Sequence, residues 1–316
     1  MDNAIADTAV RSHTALVAAL RNPAAYPHSV ETVEVVETHI SSVLLAGDYA
    51  YKLKKPVHLG FVDFSMLARR RYFCEEEVRL NRRSAPGLYL GVVPITRSRD
   101  GASLCVDGKG TPVDYAVRMR RFARDACLDQ MAQRGTLHAA LIDQLAETIA
   151  AFHRCCDSAP SDRTLGTPDE IRRWTMDNLS ELQRLTTIAS QRPRTVRLAC
   201  WNEAKFARRA PVFAERRAAG CVRECHGDLH LGNLVLIKGQ PVLFDCIDFN
   251  PQLRFIDVMS DVAFTWIDLI DHRLPRLAWR FLNGYLEATG DYAGLATLRF
   301  YAVYRALVRA NVALIR

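Results

Sequence analysis

Residues 223–261 read RECHGDLHLGNLVLIKGQPVLFDCIDFNPQLRFIDVMSD, a short polar loop followed by two apolar runs. Leu234–Ile237 is the first run and residues 242–244 are the second. Lys238-Gly239-Gln240-Pro241 between them has turn chemistry, so the pair predicts a β-hairpin. Carboxylates stand at both ends: Asp228 before the hairpin, Asp245 and Asp248 after it. A tight hairpin folds its ends together, so Asp228, Asn233 and Asp245 are expected to meet in space. A carboxylate beside a hydroxyl, with an amide and a second carboxylate beside a magnesium ion, is the equipment of phosphoryl transfer.

Size and composition leave room for that chemistry. The chain has 316 residues, 49% of them hydrophobic and 24% charged, enough for one large or two medium domains with a sizeable core. The first twenty residues carry Asp2 and Asp7 and no basic leader, which argues against a signal peptide. No run has the length of an uncharged membrane span, and the expected location is the cytoplasm. The nine cysteines are scattered without a CxxC pair. Reduced, buried thiols explain them better than a zinc site at Cys221, Cys225, His226 and His230. The net charge of +7 is carried mostly by arginines distributed along helical stretches. With no basic stripe interleaved with aromatics, no specific nucleic-acid partner is expected.

Outward from the hairpin, the chain changes texture twice. Residues 8–21 predict a short helix. Residues 30–120 predict strands, one helix over 65–83 with Ser65 as N-cap, then further strands around a polar turn at 98–110. After about residue 122 helices dominate: 137–156, 168–190, 195–219, 254–270, 274–289 and 292–316. The expected domains are an N-terminal helical extension (1–29), a β-rich lobe (30–118) and a helical lobe (119–316). Such a two-lobed chain offers a ligand cleft.

The β-rich lobe supplies counterparts to the acids. In Tyr49–Lys54 strand alternation puts Lys52 and Lys54 on one face, where a lysine can pair with nucleotide phosphates. Lys52 is the first choice and Lys54 the second. On the helix of residues 65–83, Glu77 falls on the apolar face with Phe73 and Leu80, and its helical neighbours include no cation. An inward carboxylate without a local partner needs one from another element, and Lys52 is the candidate.

The set His226-Gly227-Asp228, Asn233 and Asp245 resembles the catalytic loop and metal-binding acid of the aminoglycoside phosphotransferase and choline kinase-like family. Residues 51–57, 76–83, 117–122 and 245–250 resemble one bacterial branch of it, in which some members continue into a C-terminal P-loop kinase-like domain. The resemblance implies an α+β, bilobal protein kinase-like fold with a small β-rich N-lobe and a larger helical C-lobe. It implies an ATP- and Mg2+-dependent phosphotransferase acting on a hydroxyl of a small molecule. Asp228 becomes the base, Asn233 and Asp245 the metal ligands, with Asp248 the alternative to Asp245. Lys52 becomes the phosphate lysine and Glu77 its partner. Met119, Arg120, Arg121 and Phe122 become the hinge that holds adenine. Asp261 braces the loop, and Arg254 meets an anionic substrate or pairs with Asp257. One departure is that the expected nucleotide-covering loop, residues 38–42, has no glycine. That departure motivates the alternative, a nucleotide-binding pseudokinase or regulatory module without turnover.

Overall fold

The computed structural model describes residues 12–59, 62–98, 103–186 and 192–315. They fall into two compact units. The first runs to Ala123 and also includes Asp248–Asn250; the second is Arg124–Ile247 with Pro251–Arg316.

The first unit opens with helix α1 (residues 12–19). It is built on six antiparallel strands: β1 (Val33–Glu37), β2 (Ser41–Ala46), β3 (Tyr49–Lys54), β6 (Tyr89–Arg97), β7 (Leu104–Val106) and β8 (Pro112–Arg120). Their order is β1-β2-β3-β8-β6-β7. A separate two-stranded ribbon, β4 (His58–Leu59) and β5 (Val62–Asp63), follows β3 in the chain. One face of the sheet is apolar. Leu44, Tyr51, Leu53, Val93, Ile95 and Ala116 bury themselves there, against Leu20, Ala25 and Tyr26 from the N-terminal segment. Helix α2 (Leu67–Asn81) is fixed by a buried ion pair, Arg70 Nε to Asp114 Oδ1 of β8 at 2.9 Å.

Two local expectations for this unit change. Ser65 does not cap α2; Met66 occupies that position without a side-chain bond. Asp63 has already taken Ser65, accepting its hydroxyl at 2.6 Å and its amide at 3.0 Å. The stretch expected as a turn at 98–110 contains β7, three residues long and too short to show as alternation.

The second unit is helical: α3 (Leu128–Gln133), α4 (Ala139–Cys155), α5 (Pro168–Leu185), α6 (Arg192–Ala218), α7 (Pro251–Arg254), α8 (Val258–Asp271), α9 (Pro275–Thr289) and α10 (Leu295–Ile315). Its core gathers Leu145 and Ile149 of α4, Phe213 of α6, Met259 and Val262 of α8, and Phe281 and Tyr285 of α9. The hairpin is β10 (Leu234–Ile237) and β11 (Gln240–Leu243). Ile237 pairs with Gln240, so the turn is only Lys238-Gly239, both with positive φ (50° and 77°). That is the two-residue connection matching strand twist. Pro241 therefore lies inside β11, where a two-stranded ribbon tolerates a missing donor. The helix expected from residue 254 is divided. Residues Phe255–Asp257 form β12, paired with β9 (Val222–Glu224), and Asp257 then caps α8 by accepting the Met259 amide at 2.9 Å.

Candidate active site

Asp228 sits in the loop between β9 and the hairpin, and that loop is pinned from several sides. Asp261 of α8 accepts the amides of His226 (2.8 Å) and Gly227 (3.0 Å). Asp268 accepts the Leu231 amide at 2.8 Å, and Thr265 donates to the Leu229 carbonyl at 2.7 Å. Arg305 of α10 donates through Nη1 to the Gly227 carbonyl at 2.8 Å. His226 is buried; its Nε2 donates to the Phe244 carbonyl at 2.8 Å, and its Nδ1 accepts from the Asp228 amide at 3.3 Å. Burial holds its pKa below the ordinary value, so the ring is a neutral staple between loop and hairpin.

Gly227 takes φ +85°, and a Cβ there would stand 2.8 Å from the Leu253 carbonyl oxygen and 3.1 Å from Ile247. Only glycine satisfies both the backbone and the space.

On this frame the Asp228 side chain keeps 37% of its surface exposed. Its Oδ2 lies 3.5 Å from His230 Nε2 and accepts from Asn233 Nδ2 at 3.0 Å. The crowded surroundings favour the neutral acid, but the His230 cation outweighs them and holds the carboxyl well below the ordinary aspartate range. For His230 burial works against the charge and Asp228 works for it; the net shift is upward. The pair favours a carboxylate beside an imidazolium. Asn233 Nδ2 also donates to the Asp228 carbonyl at 2.9 Å, so its oxygen remains as the atom suited to a metal. Asp245 follows β11 in the left-handed region, φ 62°, a strained backbone for a non-glycine residue. Asp228, Asn233 and Asp245 all belong to the second unit.

Asp248 belongs to the first unit and is engaged there. Lys54 Nζ bonds directly to Asp248 Oδ2 and donates to Glu77 Oε2 at 2.8 Å. Lys52 Nζ meets the other oxygen, Glu77 Oε1, at 2.9 Å. Both lysines thus reach the glutamate that strand and helix periodicity turned inward. Burial would raise the Glu77 pKa, but Lys52 and Lys54 together hold it down to about 2. Burial pushes Asp248 the other way, upward.

Of the hinge segment, Met119 and Arg120 end β8, and Arg121 and Phe122 follow it. The Arg120 and Arg121 amides donate to the carbonyls of Leu88 and Asp48 at 2.9 and 2.8 Å. The glycine-free loop at 38–42 is a tight turn: Thr38 Oγ1 accepts the Ser41 amide at 2.9 Å, and Lys55 donates to the Thr38 carbonyl at 2.5 Å. Arg254, expected to meet an anionic substrate or to pair with Asp257, has a carboxylate partner from β9. It is buried against Glu224, Nε to Oε1 at 3.0 Å, because β9 and β12 set the two side by side. Arg216 of α6 takes Asp257.

Sequence reasoning weighed His230 only as a zinc ligand, and it missed Thr265, Asp268 and Arg305. A signal existed for two of them. Asp261, Thr265 and Asp268 recur at i, i+4 and i+7, a polar stripe on one face of a buried helix. Among the described residues, His153, Cys225 and Asp261 lie together and buried, but the Asp261 oxygens are spent on the loop amides.

The matches to known proteins agree with this frame. The model of the phosphotransferase enzyme family matches residues 113–301. The solved structure of a choline/ethanolamine kinase family protein from Mesorhizobium loti covers 96% of this chain and 85% of its own, with a TM-score of 0.53 at 13% identity. Choline kinase from Cryptosporidium parvum covers 90% and 83%, with a TM-score of 0.54 at 10% identity. Sheet unit and helical unit together have the α+β kinase-like fold of those enzymes. The chain belongs to the phosphotransferase enzyme family. Among curated proteins it is 34% identical over 288 residues to uncharacterized proteins of Mycobacterium tuberculosis and Mycobacterium bovis. That match takes in 90% of this chain and 55% of each relative, so the chain spans about half their length. Among the described residues no helix is long and apolar enough to cross a membrane.

Proposed function

We propose that the chain is an ATP- and magnesium-dependent phosphotransferase that moves the γ-phosphate onto a hydroxyl of a small molecule. The observation that carries this is Asp228: a part-exposed carboxylate, flanked by a cation, on a loop whose backbone is pinned by Asp261, Asp268, Thr265 and Arg305. Such a group orients an acceptor hydroxyl and takes its proton as the new O–P bond forms. Its depressed pKa keeps it ionised at neutral pH.

The Asn233 amide oxygen and the Asp245 carboxylate are hard oxygen donors that fit a magnesium ion. Asp248, committed to Lys54, is the weaker choice. A magnesium ion held there would neutralise charge on the phosphate oxygens. Lys52 is the candidate for nucleotide phosphates on β3, and segment 119–122 the candidate for adenine. The nine cysteines are all free thiols, in keeping with a cytoplasmic protein.

Replacing Asp228 with Ala should abolish ADP release in the presence of acceptor while nucleotide binding is retained. Unchanged turnover in that variant sinks the assignment. A mass-resolved screen of a metabolite extract for phosphorylated products would identify the acceptor.

The turn at Thr38, which has no glycine to close over phosphates, favours a second reading: a nucleotide-binding module without turnover. Stabilisation by Mg-ATP with no ADP release, across a broad acceptor panel, selects that reading.

A further inference from the structure

His230 caps the single 3-10 turn Leu231–Asn233, its Nδ1 accepting the Gly232 amide at 3.0 Å. That bond sets the ring's orientation. With Nδ1 turned to the amide, Nε2 carries a proton and faces Asp228 Oδ2 at 3.5 Å. The ring stands edge-on to Phe264 of α8, with 5.5 Å between centroids. Gly232 leaves it room: a Cβ there would stand 2.9 Å from His230 Cε1 and 3.0 Å from Nδ1.

Both donors that meet the Asp228 carboxylate use one oxygen. Asn233 Nδ2 reaches Oδ2 at 3.0 Å, and His230 Nε2 faces the same atom. Among the described residues no hydrogen-bond donor is set on Oδ1. A carboxylate turns about a soft, twofold torsion, and its oxygens are equivalent until neighbours distinguish them. Here Oδ2 is anchored to the loop and Oδ1 is left for a ligand.

We propose that His230 is a positioning residue, holding Asp228 by Oδ2 so that Oδ1 accepts the proton of the acceptor hydroxyl. The inference rests on the reading of Asp228 as the base of a phosphotransferase. The acceptor O–H proton passes to Oδ1 as the new O–P bond forms and the bond to ADP breaks. Phosphoryl transfer asks a protein for placement more than for strong basicity. Asp228 is held acidic by His230 and is a weak base, so aim is what it supplies.

A histidine that only caps its turn would tolerate asparagine, whose oxygen can take the Gly232 amide but whose side chain is too short to reach Oδ2. Glutamine brings an amide donor close to the place of Nε2. The assay is ADP release from Mg-ATP with a small-molecule cell extract as the source of acceptor, beside thermal unfolding. His230→Asn is expected to lower kcat by roughly thirtyfold, with the KM for ATP and the Tm near those of the parent. His230→Gln should recover most of that loss. Gly232→Ala, which pushes the ring aside, should also lower kcat, and its effect should vanish in the His230→Asn background. Full activity in His230→Asn overturns the proposal. So does a His230→Gln enzyme no better than His230→Asn, or a Gly232→Ala loss that persists in full without His230.

Nitrogen NMR of the histidine rings reads the contact without turnover and guards against variants that fold poorly. In the intact protein the Nε2 signal of His230, assigned by its absence in His230→Gln, should move on Asp228→Asn. The ring of His153, which faces Tyr285 and Asp261, should hold still. A His230 signal indifferent to Asp228→Asn overturns the proposal even where kcat falls. If the intact chain releases no ADP while that signal moves, the phosphotransferase reading fails and the anchoring of Asp228 by His230 stands.

Discussion

Asp245 shows how one residue carries both strain and chemistry. Its φ of 62° puts an L side chain where glycine or asparagine would rest more easily. Natural chains hold such conformations where a side chain must be aimed, and here the aim is from the end of the hairpin. Asp245→Asn keeps the shape and tolerates the backbone, but removes the anionic oxygen. On the proposed reading it should lower kcat by about a hundredfold or more while the melting temperature stays near that of the parent. Steady-state assays beside calorimetry would check this. An Asp245→Asn enzyme of full activity would pass the metal to another ligand. Asp228 and His230 make a similar point. Each pKa moves because the other group is present, so neither can be understood from its own position in the chain.

Elements explain why the loop holds its shape. Helix α8 carries Asp261, Thr265 and Asp268 along one face and spends all three on the backbone of the loop before the hairpin. Each of those buried amides and carbonyls would otherwise lack water, at a cost of about 1–3 kcal/mol. The loop must therefore pass close to α8, and the path demands Gly227 at positive φ. Gly227→Ala brings a Cβ to 2.8 Å from the Leu253 carbonyl. It should destabilise the protein by about 2 kcal/mol or more, read from the urea midpoint. Gly239, also at positive φ, has open space around a Cβ. Gly239→Ala should therefore cost less than Gly227→Ala, and the reverse order would refute the packing argument.

At the scale of the whole molecule, buried ion pairs stand at structural junctions in both units. In the second, Arg216 grips Asp257 with two bonds of 2.7 and 2.8 Å and Asp291 with two more of 2.7 Å. This joins α6, the start of α8 and the segment before α10. In the first, Glu77 is the junction of α2 and β3, and it makes stability depend on acid. Its folded pKa of about 2 lies below its ordinary 4.5. Its contribution is therefore complete above about pH 4.5 and is lost as the pH falls toward 2. Asp248, shifted upward, works in the opposite sense and offsets part of it. Wild-type protein should lose stability between about pH 5 and pH 2.5, and Glu77→Gln should flatten that loss by on the order of 2 kcal/mol. Urea unfolding at the two pH values is the measurement; equal slopes in both proteins would exclude Glu77 as the sensitive group.

The sequence by itself determined the order of the longer helices, the hairpin, the family and the inward turn of Glu77. All of these follow from local periodicity, turn chemistry or a compact motif, which short-range sterics impose. It also brought Asp228 and Asn233 together, five positions apart in one loop. Apart from the Lys52–Glu77 pair, tertiary structure decided the long-range partners. Lys54 and Asp248 are 194 positions apart, and no spacing rule joins them. Arg254 reached Glu224 because β9 and β12 formed a ribbon from three residues each, below the length at which alternation can be read. Ser65 was held away from the cap position by an aspartate two positions upstream. For the charged pairs a buried group had to find a mate, and which mates were within reach depended on how the elements packed.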